Sequence, residues 1–261
     1  MKTGKRITNP LTVAVAILLC AGISYAQYVP DDSLLAAWEF NAGDISGANV
    51  AASGGSAANT TGILQADASA AGGVLALDGA GDYLQFGNDV TDLRGLTVMT
   101  MCAWVKAADE GTAMRRIVEH EDNFYFFTEN THFNFSIHGG GGDKAISITA
   151  PAADVWQHVL VVYQSGQPGK MYINGVWEDD SAESWPDMVN NVDTFSIGAQ
   201  RSSSGAPSNY FYGELDDVAI WNRVLTVAEI EALAGKDAGG YAGRALPATA
   251  AATPGTLIYG K

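Results

Sequence analysis

The chain has 261 residues, 47% of them hydrophobic, and carries 29 Asp and Glu against 14 Lys and Arg, a formal charge of −15. That balance repels a phosphate backbone or an anionic lipid surface, both of which need clustered Lys and Arg, so nucleic-acid partners and membrane binding are disfavoured. Cys20 and Cys102 are the two cysteines, which excludes a Cys-rich zinc site.

In chain order, Lys2, Lys5 and Arg6 precede the apolar run "LTVAVAILLCAGI", and small residues follow at Ser24 and Ala26. This pattern predicts a secretory signal peptide over residues 1–26, cut before Gln27, and a product that is secreted, extracellular or at the cell surface, with the periplasm as another destination. The run is shorter than the roughly 20 residues a spanning helix needs, so no membrane insertion is expected. A lipid anchor at Cys20 is the alternative, although Leu19 stands where such signals take a small residue. Cleavage moves the charge from −15 to −18, because three basic residues leave and no acid does. Cys102 is then the remaining cysteine and reads as a small buried hydrophobe.

Short apolar or alternating runs follow, among them "LLAAWEF", "VLALDG", "LTVMTMCAWVK", "FYFFT", "WQHVLVVY", "KMYING" and "FYGELDDVAIW", each bounded by Gly, Asn, Asp or Pro. About a dozen strands separated by turns predict an all-β, two-sheet sandwich. Asn174-Gly175 marks the clearest hairpin, since both residues accept positive φ. "LTVAEIEALAG" is the one helical segment, with Thr226 as N-cap, Glu229 completing a capping box and Gly235 as the stop. The stretch "NAGDISGANVAASGGSAANTTG" reads as a long loop, and residues 237–261, rich in Gly, Ala and Pro, as a flexible tail after a domain at 27–236.

Enzyme motifs are incomplete. Glu214 and Asp216 share a strand face, but the third acid of an E-x-D-x-x-E pattern falls on Ala219. Glu119 and Glu121 also alternate, and offer a third, hydrolytic reading of the chain. His120 has Phe124 four residues on, where a zincin helix needs histidine. Binding features are better represented. In "GVWEDDSAESWPD", the rings of Trp177 and Trp185 and the acids Asp179 and Asp180 suit a sugar, which offers C–H faces to stack and hydroxyls to donate. The same stretch also reads as a solvated loop anchored by two tryptophans.

The adjacent acids Asp216 and Asp217 pose a strand problem. Alternation places Asp216 with Val218 and Ile220, facing the space between the sheets, where an ionised carboxylate needs a partner. A calcium ion is one candidate, and backbone N–H donors of a turn are the other.

Six pieces in order, "LLAAWEFNAGDISG", "GGVLALDGAGDYLQF", "LTVMTMCAWVKA", "WQHVLVVY", "KMYINGVW" and "FYGELDDVAIWNRVLTVAEIEAL", resemble the laminin-G-like, concanavalin A-like jelly-roll domains of secreted proteins. The resemblance implies a two-sheet antiparallel jelly roll with one short C-terminal helix, and a superfamily of lectins, adhesion modules and glucanases. It also implies a structural calcium held by Asp216 with the backbone of Glu39; Asp44 and Asp78 match further acidic positions. The expectation is a non-enzymatic recognition module for carbohydrate or a glycosylated surface. The alternative is a structural or adhesive component that contacts other extracellular proteins.

Overall fold

The computed structural model describes residues 31–70, 72–88, 90–138, 144–201 and 205–235. The expected signal peptide and tail lie outside the described residues. Among the described residues there are sixteen strands and one α-helix, arranged as two antiparallel sheets. The first sheet contains β1 (Leu34–Trp38), β5 (Leu75–Asp78), β7 (Val98–Ala107), β12 (Trp156–Gln164), β13 (Pro168–Ile173), β14 (Val176–Ser184) and β16 (Tyr212–Trp221). Its order is β1-β16-β7-β12-β13-β14, with β5 also paired to β16. The second contains β2 (Ile45–Ser46), β3 (Asn49–Val50), β4 (Gly62–Gln65), β6 (Tyr83–Gln85), β8 (Arg115–His120), β9 (Phe124–Glu129), β10 (His132–Ile137), β11 (Lys144–Ile146) and β15 (Phe195–Ile197). They run in the order β11-β10-β9-β8-β15-β6-β4-β3-β2.

Period-two alternation makes the core. Met101, Ala103 and Val105 of β7 and Val159, Val161 and Tyr163 of β12 meet the phenylalanines of the second sheet, including Phe126, Phe135 and Phe195. Phe195 packs 5.6 Å from Trp38 and 4.8 Å from Phe86, ring centre to ring centre. Burying each such ring contributes about 1.5–3 kcal/mol.

β12 reads as a nearly continuous apolar run because its other face is covered too. Leu160 and Val162 join Leu34, Cys102, Tyr172 and Trp221 in a second cluster, closed by Leu225 and by Ile230 and Leu233 of helix α1 (Val227–Ala234). The helix begins as its sequence indicates: the Thr226 side chain accepts from the Glu229 amide, and the Glu229 carboxylate accepts from the Thr226 amide at 2.7 Å. Among the described residues no helix is long and apolar enough to cross a membrane.

The Gly- and Ala-rich stretch after β1 is not the plain loop expected. Ser53 and Gly54 bond the backbone of Ala37, and a Cβ on Gly55 would lie 2.2 Å from the Leu35 carbonyl oxygen, so only glycine lets the segment lie against β1. Asp44, one of the acidic positions of the family pattern, accepts the Ser53 hydroxyl at 2.7 Å.

Candidate functional site

The candidate sugar-binding stretch is strand β14, and its side chains divide between the two faces of the sheet. β13 and β14 are joined at Asn174 (φ 52°) and Gly175 (φ 81°), the geometry the Asn-Gly pair favours. The turn is pinned to β12, since the Asn174 side chain accepts the His158 amide at 2.9 Å and the Asn174 amide donates to the His158 carbonyl at 2.7 Å. From there Ile173 faces Val176 and Tyr172 faces Trp177. A bulge at Glu178 shifts the register, so Met171 faces Asp179 and Lys170 faces Asp180. Met171 and Ile173 point into the core and Tyr172 to the outer face. Trp177 therefore shares the outer face with Tyr172, and it is 55% exposed. Asp180 holds the register position opposite Lys170; the side chains of residues 179–183 lie outside the described residues.

Trp185 departs from expectation. It is 1% exposed, stacked 5.3 Å from Phe135 and 5.9 Å from Tyr163 inside the core. Gly169 makes the room, because a Cβ there would lie 2.5 Å from the indole. A ring sealed in this way cannot stack on a surface ligand, so the binding role expected for Trp185 is corrected to that of a core anchor. Glu178 is structural as well: its carboxylate accepts the Ile148 and Thr149 amides at 2.8 and 2.7 Å and the Thr149 hydroxyl, tying that segment to β14.

Beside Trp177 the outer face opens into a groove of about 440 Å³. Val162 and Gln164 line it from β12, Lys170 and Tyr172 from β13, Gln167 from the connection between them, Val224 from the approach to α1 and Val227 from its first turn. Val224 and Val227 of this lining are exposed apolar side chains. Sequence reasoning missed this groove. Its walls lie some sixty residues apart, and no local pattern announces that they meet.

Asp216 also sits otherwise than alternation implied. The first half of β16 pairs with β5 and the second with β1, and the register against β7 slips between Asp216 and Ala219. Asp217, at φ 47°, is the extra residue. Leu215 and Val218 both face the core, so Asp216 points away from the space between the sheets, opposite Trp104. It is nonetheless 0% exposed, and its Oδ1 accepts the Asp217 amide at 2.7 Å. The turn-type N–H donor of the second reading is thus present, and the inward orientation is corrected. The pairing of β1 with β16 ends at Trp38 and Val218, so the following residue, Glu39, leaves β1 next to the bulge. The Glu39 carboxylate accepts the Asn41 amide at 2.6 Å. Among the described residues, no three His, Cys, Asp or Glu side chains gather to hold a metal ion by side chains alone.

The other pair of acids lies on β8. Glu119 faces Tyr125 and Ser196, away from the core, yet is 0% exposed and paired with Arg116. The guanidinium lies 4.8 Å from the ring centres of both Tyr125 and Phe127. Burial pushes the Glu119 carboxyl up to about 7, only partly offset by Arg116. Burial likewise lifts the Tyr125 hydroxyl to about 12 and holds the neighbouring His120 down at about 4. Glu121 accepts the Thr194 hydroxyl at 3.3 Å. Two catalytic carboxyls must flank an accessible bond. Glu119, sealed beneath its partners, does not.

The sheet order, the two-faced burial of the first sheet and the capped closing helix define a fold that comparison identifies. Residues 78–231, more than half of the chain, match the family Laminin_G_3, described as the concanavalin A-like lectin/glucanases superfamily. The chain belongs to that superfamily. Among solved structures, domain 4 of AbnA, a GH43 extracellular arabinanase from Geobacillus stearothermophilus in complex with arabinotriose, is similar at 20% identity and TM-score 0.56. That match covers 78% of this chain and 100% of the other. Trypanosoma rangeli sialidase is similar at 17% identity and TM-score 0.56, over 79% of this chain and 33% of the sialidase. The receptor binding domain of botulinum neurotoxin C/D mosaic serotype is similar at 13% identity and TM-score 0.55, over 78% of this chain and 51% of that domain. At such identities the likeness is one of fold. The superfamily holds both glycoside hydrolases and non-enzymatic binding domains. No curated protein matches the sequence.

Proposed function

We propose that this chain is a secreted, non-enzymatic recognition module that binds carbohydrate or a glycosylated surface at the outer face of the seven-stranded sheet. The observation that carries the reading is the Trp177 ring, more than half exposed on a hydrogen-bonded strand and aligned with Tyr172 beside a groove. An indole held in this way presents a flat apolar face to sugar C–H groups at little entropic cost, while Lys170, Gln164 and Gln167 supply donors and acceptors for hydroxyls. The burial of Glu119 speaks against hydrolysis. In a glycan-binding screen of the mature chain, Trp177→Ala should lose at least tenfold in affinity, about 1.4 kcal/mol, with an unchanged melting temperature. Equal binding by both proteins would sink the proposal.

The structural or adhesive reading draws on Val224 and Val227, apolar side chains exposed in the lining of the same groove. It predicts concentration-dependent oligomers on sizing that Val227→Glu disperses.

A further inference from the structure

We infer that the groove beside Trp177 selects uncharged oligosaccharides and rejects acidic ones. This rests on the reading above that the face binds sugar, and names the ligand class. The side chains lining the groove are Val162, Pro168, Tyr172, Val224, Leu225 and Val227 on the apolar side and Gln164, Gln167, Thr226 and Lys170 on the polar side, so a single lining residue is ionised. Recognition of a sialate, uronate or sulfate draws on a guanidinium fork or several converging cations. The arginine next to this groove is already committed: Arg223, which precedes Val224, donates to Asp31 at 2.6 and 2.9 Å and to Glu229 at 2.7 and 2.9 Å.

The surrounding charge points the same way. The sequence sets Asp180 at the position facing Lys170, and residues 176–187 hold five acids, Glu178, Asp179, Asp180, Glu183 and Asp187, with no Lys or Arg. With a formal charge of −15 on the whole chain, an anionic sugar approaches against the local and the global field alike. Amide and hydroxyl groups next to apolar side chains instead match a sugar with hydroxyls and C–H faces only. The row from Trp177 on β14 across β13 to β12 covers two strand spacings, about 10 Å, which is longer than one sugar ring and suits an oligosaccharide.

The test is titration calorimetry of the mature chain with trisaccharide pairs alike in size, neutral against sialylated or uronate-bearing, with arabinotriose among the neutral probes, at low and high salt. The expected result is binding of at least one neutral probe on the order of tenfold tighter than its acidic counterpart at low salt, abolished by Trp177→Ala. Tighter, Trp177-dependent binding of the acidic probe would overturn the inference and leave the sugar-binding proposal standing. Neutral binding that survives Trp177→Ala would overturn the assignment to this groove. Silence of every probe, acidic and neutral, would overturn the proposed function and the inference with it.

Discussion

Glu119 and His120 are neighbours on β8, point to opposite faces and are both sealed from water, so burial drives their proton affinities in opposite directions. Glu119 holds its proton up to about pH 7 in the folded chain, against an ordinary value of 4.5. Between those values the unfolded chain has released a proton that the folded chain keeps, so this residue's contribution to stability falls as pH rises. His120 refuses a proton down to about pH 4, against 6.5 ordinarily, so its contribution falls as pH drops through that window. Each is worth about 3 kcal/mol over its window. In the range they share the two slopes oppose, and separate variants should expose them. Melting temperature of Glu119→Gln should fall as pH is lowered from 6.5, that of His120→Gln should fall as pH is raised from 4.5, and parallel curves for both would refute the pairing of effects. The sequence showed the alternation of Glu119 and Glu121 but not that Glu119 is sealed. Exposure depends on Arg116 of the same strand and on how Tyr125 and Phe127 of the neighbouring strand pack over the pair.

At the scale of elements, local chemistry was legible wherever the partners are close in sequence. The capping box of α1 needs only Thr226 and Glu229, and Thr226→Ala should cost about 1 kcal/mol in chemical denaturation. The Asn174-Gly175 hairpin is equally local. β16 shows the limit of period-two reasoning, because one extra residue reverses the side every later position faces. The signal was there: two consecutive acids inside an apolar strand break alternation, and Asp tolerates the left-handed backbone that a bulge of this kind needs. Asp217→Val puts a β-branched residue at φ 47° and should cost about 1–3 kcal/mol, whereas Asp217→Gly keeps the backbone geometry and should cost less. If both variants melt alike, the backbone demand at that position is refuted. Trp185 was readable as an aromatic near acids, but its burial is fixed by Gly169 and Phe135 on other strands. Gly169→Ala, which forces a methyl against the indole, should lower stability by about 1–3 kcal/mol.

At the scale of the whole molecule, the two sheets and the helix that closes the outer cluster are what the alternating runs foretold, and the match over residues 78–231 places them in a known superfamily. Calcium was expected at Asp216 with the backbone of Glu39; Asp216 is buried there, with its Oδ1 on the Asp217 amide. Melting temperature should fall with chelator in the parent and barely change in Asp216→Ala; equal responses of the two proteins would place any ion at other residues. The sequence by itself determined the all-β class, the hairpin, the capped helix and the acidic balance, because each depends on periodicity, on residues a few positions apart or on composition alone. Tertiary structure alone decided that Trp177 is outside and Trp185 inside, that Asp216 faces away from the core, and that Val162, Tyr172 and Val227 enclose one groove. Those outcomes hinge on strand bulges and on contacts between segments far apart in the chain, where a single inserted residue or one missing Cβ changes which side chain meets water.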